Sequence, residues 1–160
     1  GNLLSRVSNV VASKCGGRGP APRSAAAGSR LAAVAAEVTP AVIAYWRALA
    51  PHEGLELTWR LIRAANAELE AVEPWKLEPG PEVDGVLGDA LEVLRIVAVL
   101  IAPVIRDAAP EIWHRIGLEG EPGAAGNAGE SGVLAWGGYP GGLPVEKGAP
   151  LFPRRPVVTE

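Results

Sequence analysis

The sequence predicts an all-α protein: a bundle of about five helices followed by an extended Gly/Pro-rich C-terminal tail. Three observations carry that prediction. Hydrophobic residues make up 48% of the chain but aromatic residues only 5%, with Ala, Leu and Val dominant; a β-sheet would want more Tyr, Phe, Ile and Thr. Apolar residues recur every three or four positions in successive segments, the helical period. The 20 glycines and 15 prolines cluster between those segments and near the end. At 160 residues the length fits one domain of ordinary size. The division expected is a bundle over 1–118 and a Gly/Pro-rich linker and extended tail over 119–160, which packs back on the bundle or on a domain outside this chain.

The elements follow in order. Leu3, Val7, Val10 and Val11 form one stripe over residues 1–14, with Asn2 and Arg6 four apart beside it. Cys15-Gly16-Gly17 supplies a left-handed cap. Residues 16–28 are rich in Gly, Pro and Arg and predict a loop. From Ser29 to Ala50 the stripe is Leu31, Val34, Val38, Val42, Tyr45 or Trp46, and Leu49. Thr39-Pro40 interrupts it, as a kink or as a boundary between two short helices. A third helix, Leu55 to Val72, has the stripe Leu55, Trp59, Ile62, Ala65 or Asn66, Leu69 and Val72. Asn66 falls on that stripe. A buried amide needs partners, which predicts a structural tie to a neighbouring helix.

Pro74 stops this helix and biases Glu73 towards extended geometry. Trp75 then leaves the helix axis between Glu73 and Lys76, either as a core ring or as an outward platform. Val83 to Ile105 is apolar nearly all round, the mark of a central helix. Pro110 to Ile116 is a short fifth helix closed by Gly117, with Trp113 in the core. Beyond Leu118 the pattern dissolves into Gly-rich sequence, anchored by Trp136, and a Pro-spaced end.

Several chemistries are missing. The single cysteine, Cys15, excludes an internal disulfide and a cysteine metal cage. The glycines at 137–142 have no strand and helix around them for a phosphate loop. His52 and His114 belong to different segments, no Ser-His-Asp or Cys-His set is legible, and carboxylates are expected on solvated helix faces. No catalytic and no metal residues are therefore assigned. The start carries no signal-peptide pattern and the longest apolar run, Ile96–Ile105, is too short for a membrane span. The expectation is a soluble, cytoplasmic fragment or excised domain, since the chain opens on Gly1-Asn2 and lacks Met. Net charge is −3, yet residues 1–36 hold Arg6, Lys14, Arg18, Arg23 and Arg30 with no acid, +5 against −8 in the remainder. A basic start on an acidic body fits either phosphate contacts or a solvated surface.

Four segments carry a resemblance: Gly1-Asn-Leu-Leu-Ser-Arg6; Asn66 followed by Pro74-Trp75-Lys76; Leu94-Arg-Ile-Val-Ala-Val-Leu-Ile-Ala-Pro103 with Ile112-Trp113 and Ile116-Gly117-Leu118; and Lys147-Gly-Ala-Pro-Leu-Phe-Pro-Arg154. Together they resemble the C-terminal anticodon-binding domain of the methionyl-tRNA synthetase family. The sequence departs from the family at Arg106, where a second proline is usual, at Pro110, and in a longer Gly-rich insert.

The resemblance implies a class I synthetase helix bundle that reads the CAU anticodon of tRNA(Met), with Asn2, Arg6, Pro74 and Trp75 as the RNA-binding residues. The residue types suit that task. An indole stacks an unpaired base, worth about 1–3 kcal/mol, while an Asn amide and an Arg fork address its Watson–Crick edge or a phosphate. The parent would be an ATP- and Mg-dependent methionine–tRNA ligase whose catalytic domain lies upstream. This fragment itself would need no cofactor, and membrane and DNA are not expected partners. The alternatives are the matching domain of another class I synthetase, or a helical protein–protein interaction module.

Overall fold

Among the described residues five helices form, and Pro and Gly set most of their ends. The computed structural model describes residues 2–27, 29–122 and 134–147. The helices are α1 (Asn2–Lys14), α2 (Arg30–Arg47), α3 (Pro51–Val72), α4 (Pro81–Ile101) and α5 (Ala108–Arg115). Two short strands, β1 (Arg18–Gly19) and β2 (Leu143–Pro144), pair antiparallel. No helix among the described residues is long and apolar enough to cross a membrane, and none of their His, Cys, Asp and Glu side chains group as a metal site.

Helix α4 is the axis of the bundle. Every residue from Gly85 to Ile101 is buried, and α1, α2, α3 and α5 all pack on it. Gly88 admits the loop before α2, because a Cβ there would collide with the Ala21 carbonyl.

Two features of α2 and α3 differ from the sequence expectation. Helix α2 runs unbroken from 30 to 47 with Pro40 inside it, because Pro40 is exposed while Val38, Thr39 and Val42 are buried and hold the turn against its neighbours. Its cap is Ser29, whose hydroxyl accepts from the Ala32 N–H at 3.2 Å. Helix α3 starts on Pro51, a residue suited to a first turn. Its buried face is Gly54, Thr58, Leu61, Ala65 and Leu69, about one residue round from the predicted stripe. Leu55, Trp59, Ile62 and Asn66 flank that face, half-buried. The rotation follows from packing on α2: Gly54 lies flush against the Trp46 ring, and an added Cβ would clash with it.

A third difference concerns the carboxylates. Asp89 and Glu92, expected on a solvated face, are fully buried in α4. Burial of an ion is tolerated only when it is paired and hydrogen-bonded, and both are. Asp89 accepts from the Arg23 N–H at 2.8 Å, from the Arg23 guanidinium at 3.0 and 2.8 Å, and from the Ser29 hydroxyl at 2.8 Å. Glu92 pairs with Arg95 at 2.5 Å. It also accepts from the backbone N–H groups of Gly137, of Gly138 at 2.7 Å and of Tyr139 at 3.2 Å. These consecutive N–H groups form an anion-binding concavity, occupied by the chain's own carboxylate.

The strap 134–147 is thereby tied to the bundle. Trp136 donates its indole N–H to the Arg23 carbonyl at 2.7 Å. Tyr139 is buried and donates its hydroxyl to the Ile116 carbonyl at 2.7 Å; burial raises its pKa to about 12. Segment 148–160, with the Phe-Pro-Arg motif, lies outside the described residues, as does 123–133 of the Gly-rich stretch.

Candidate nucleic-acid interface

The end of α3 sets the site. Glu73 is the capping residue and its N–H donates to the Leu69 carbonyl at 2.8 Å. It is left-handed, φ 51 and ψ 58, rather than extended as Pro74 had implied. The left-handed cap satisfies a terminal carbonyl at a conformational cost of about 1–2 kcal/mol for a residue with a Cβ. The chain reverses there into a single 3-10 turn, Pro74–Lys76. Pro74 is buried and Trp75 half-buried, so the proline anchors the turn and the indole stays partly accessible.

Helix α1 supplies the facing side chain. The Arg6 guanidinium lies 5.3 Å from the centroid of the Trp75 ring, within cation–π range. Two groups of α3 hold it there. Arg6 Nη1 donates to Asn66 Oδ1 at 3.1 Å, and Nη2 to Glu70 Oε1 at 2.6 Å. Asn66 in turn donates to the Ile62 carbonyl at 3.4 Å, which fixes the orientation of its amide. Asn66 is thus joined to α1 through its hydrogen bond from Arg6. Asn2 opens α1 one turn before Arg6; its side chain lies outside the description.

Arg6, Asn66 and Trp75 therefore meet, although 69 residues separate Arg6 from Trp75. Glu70 was missed by the sequence reasoning. Its signal was present, because Glu70 lies four positions after Asn66 and so shares its helix face. The Glu70 side chain is 64% exposed and that of Arg6 29%, so the cluster sits at the surface. On the same turn as Trp75, Lys76 pairs with Glu73 at 3.1 Å.

The basic N-terminal segment is largely neutralised by the acidic body. Arg6 meets Glu70 at 2.6 Å, Arg23 meets Asp89 at 2.8 Å and Arg30 meets Glu68 at 3.7 Å. The remaining chemistry-bearing groups lie elsewhere. His52 is exposed in the first turn of α3, and His114 has its Nε2 2.9 Å from the Gly120 carbonyl. Cys15 is held up at a pKa of about 11 by burial, by its hydrogen bond to Asp84 and by the charge on that residue, which keeps it a thiol.

No protein-family model matches the chain. Individual relatives do. It is 32% identical over 164 residues to a methionine–tRNA ligase of Streptomyces coelicolor, covering 96% of this chain and 30% of that protein. It is 31% identical over 170 residues to the methionine–tRNA ligase of Enterococcus faecalis, covering 100% of this chain and 24% of the relative. Among solved structures, the free form of Mycobacterium tuberculosis methionyl-tRNA synthetase superposes with a TM-score of 0.79 at 28% identity, over 97% of this chain and 31% of that one. The same enzyme bound by methionyl-adenylate gives 0.77 at 29% identity, over 96% and 30%. The chain thus spans less than a third of the length of these relatives.

Proposed function

We propose that this chain, homologous along nearly its whole length to part of the methionine–tRNA ligases, is a tRNA anticodon-recognition module of such an enzyme. The observation that carries the reading is the Arg6 guanidinium, held by Asn66 and Glu70 against the Trp75 indole on the bundle surface. In this reading an unpaired anticodon base stacks on the accessible part of Trp75. Stacking accepts any base, so discrimination falls to the polar groups beside it. Asn2 pairs with the Watson–Crick edge of cytosine. Arg6 presents those of its five N–H groups not taken by Asn66 and Glu70. Pro74 contributes by holding the turn that carries the ring.

The chemistry of aminoacylation belongs elsewhere. A parent methionine–tRNA ligase would activate methionine with ATP and Mg in a catalytic domain, and this module would deliver tRNA(Met) to it in the cytoplasm. No catalytic residue is assigned within the 160 residues.

Titration of a CAU anticodon stem-loop tests the reading. Binding should quench the part of the tryptophan fluorescence that is absent in Trp75→Phe, and changing the first base to give GAU should abolish tight binding. Equal affinity for the two loops would point to another synthetase of the class or to a non-specific surface. Absence of binding would point to a protein–protein module.

A further inference from the structure

We propose that Lys76, and not Arg6, is the phosphate anchor of this interface; the proposal rests on the anticodon reading above. An arginine beside a stacking ring is the obvious candidate for the backbone. Here its fork is already engaged, with Nη1 on Asn66 at 3.1 Å and Nη2 on the Glu70 carboxylate at 2.6 Å. Its side chain is also only 29% exposed, against 66% for Lys76, so a phosphate reaches it less readily. Its remaining donors suit a neutral base edge better than a charged backbone.

Lys76 is differently placed. It follows Trp75 directly on the same 3-10 turn, and its side chain is 66% exposed. Its ion pair is with Glu73, 3.1 Å away and itself 44% exposed; such surface pairs are weak and readily exchanged. An ammonium on a long flexible stem is a point charge that follows a phosphate rather than fixing its orientation. Arg63 is also exposed on α3, but it precedes Glu73 by ten residues, about 15 Å along the helix axis. Lys76 therefore supplies positive charge beside the stacked base, and the phosphate replaces the Glu73 carboxylate. Sequence discrimination and backbone attraction then fall on different residues.

The experiment is a salt series from about 50 to 200 mM with the 160-residue chain and two RNAs, the CAU stem-loop and its GAU counterpart. For Lys76→Ala the slope of log K against log salt should become shallower by about 0.7, the value for one single-stranded phosphate. Affinity should fall several-fold at low salt while the CAU/GAU ratio stays as in the unmodified chain. Lys76→Arg should restore the slope. Glu73→Gln should bind several-fold tighter at low salt, because the competing carboxylate is gone. An unchanged slope in Lys76→Ala, or a lost CAU/GAU ratio, would overturn the assignment to Lys76 while leaving the anticodon reading standing. Failure of the unmodified chain to bind either RNA would overturn both.

Discussion

Two arginine–carboxylate clusters in this molecule use the same chemical parts to opposite ends. Around Arg6 the carboxylate of Glu70 and the amide of Asn66 hold a guanidinium at the surface, over an aromatic ring. Around Arg95 the carboxylate of Glu92 is fully buried and is shared with the backbone N–H groups of the strap. Solvent decides the difference. At the surface an ion pair is screened, so the cluster adds little to the fold and the donors it leaves over stay open to a ligand. In the interior an ion that loses its partner has no water to replace it, so the cluster acts as a fastener. Proximity of charges alone does not identify a binding site; their exposure does.

The comparison is broken most severely at the buried knot. Glu92→Ala removes the carboxylate facing the Arg95 charge, leaves three N–H groups without their acceptor and is expected to destabilise the fold by about 3–5 kcal/mol, measured by urea denaturation. A loss below about 1 kcal/mol would put the knot on the same footing as the surface pair. Trp75→Ala should reverse the pattern, lowering affinity for the CAU stem-loop by about 1–3 kcal/mol with little change in the denaturation midpoint. Unfolding of that variant would make the ring a core residue instead.

Tyr139 tests the strap by pH. Its folded pKa, about 12, lies above its ordinary value of 10. Stability from keeping it neutral is complete below pH 10 and is lost as pH rises towards 12, because the unfolded chain ionises first. Tyr139→Phe should cost about 1 kcal/mol at neutral pH for the lost bond to Ile116. It should also flatten the alkaline decline between pH 10 and 12 that the unmodified chain shows. Cys15, shifted from 9.0 to about 11, contributes from pH 9 upwards in both, so the contrast between them isolates the tyrosine. An identical alkaline decline would mean that Tyr139 reaches solvent in the folded state. The smallest effect belongs to Glu70→Gln, with a stability change below about 1 kcal/mol that shrinks further in high salt; a larger loss would show that the surface cluster also fastens the fold.

Much of the architecture was legible because it rests on local periodicity. The stripe Leu3, Val7, Val10 and Val11 is buried throughout, and the all-round apolar character of α4 correctly marked it as the axis. The rotation of α3 was not legible, since its buried face answers to Gly54 against Trp46 on another helix. The burial of Asp89 and Glu92 was also hidden. Their donors, at Arg23, Ser29 and 137–139, are remote in sequence and visible only once the chain has closed.

The sequence by itself determined the class of fold, the axial helix, and the break at Pro74 that turns Trp75 off the end of α3, because period and proline geometry act over a few residues. Only the tertiary structure decided that Arg6 of α1 lies over that ring and that Glu70 holds it there. It also decided that Glu92, a carboxylate expected on a solvated helix face, is the peg of the strap. The physical reason is the same in each case. Whether a charge binds a ligand or fastens a core depends on which distant groups desolvate it, and that is set by packing.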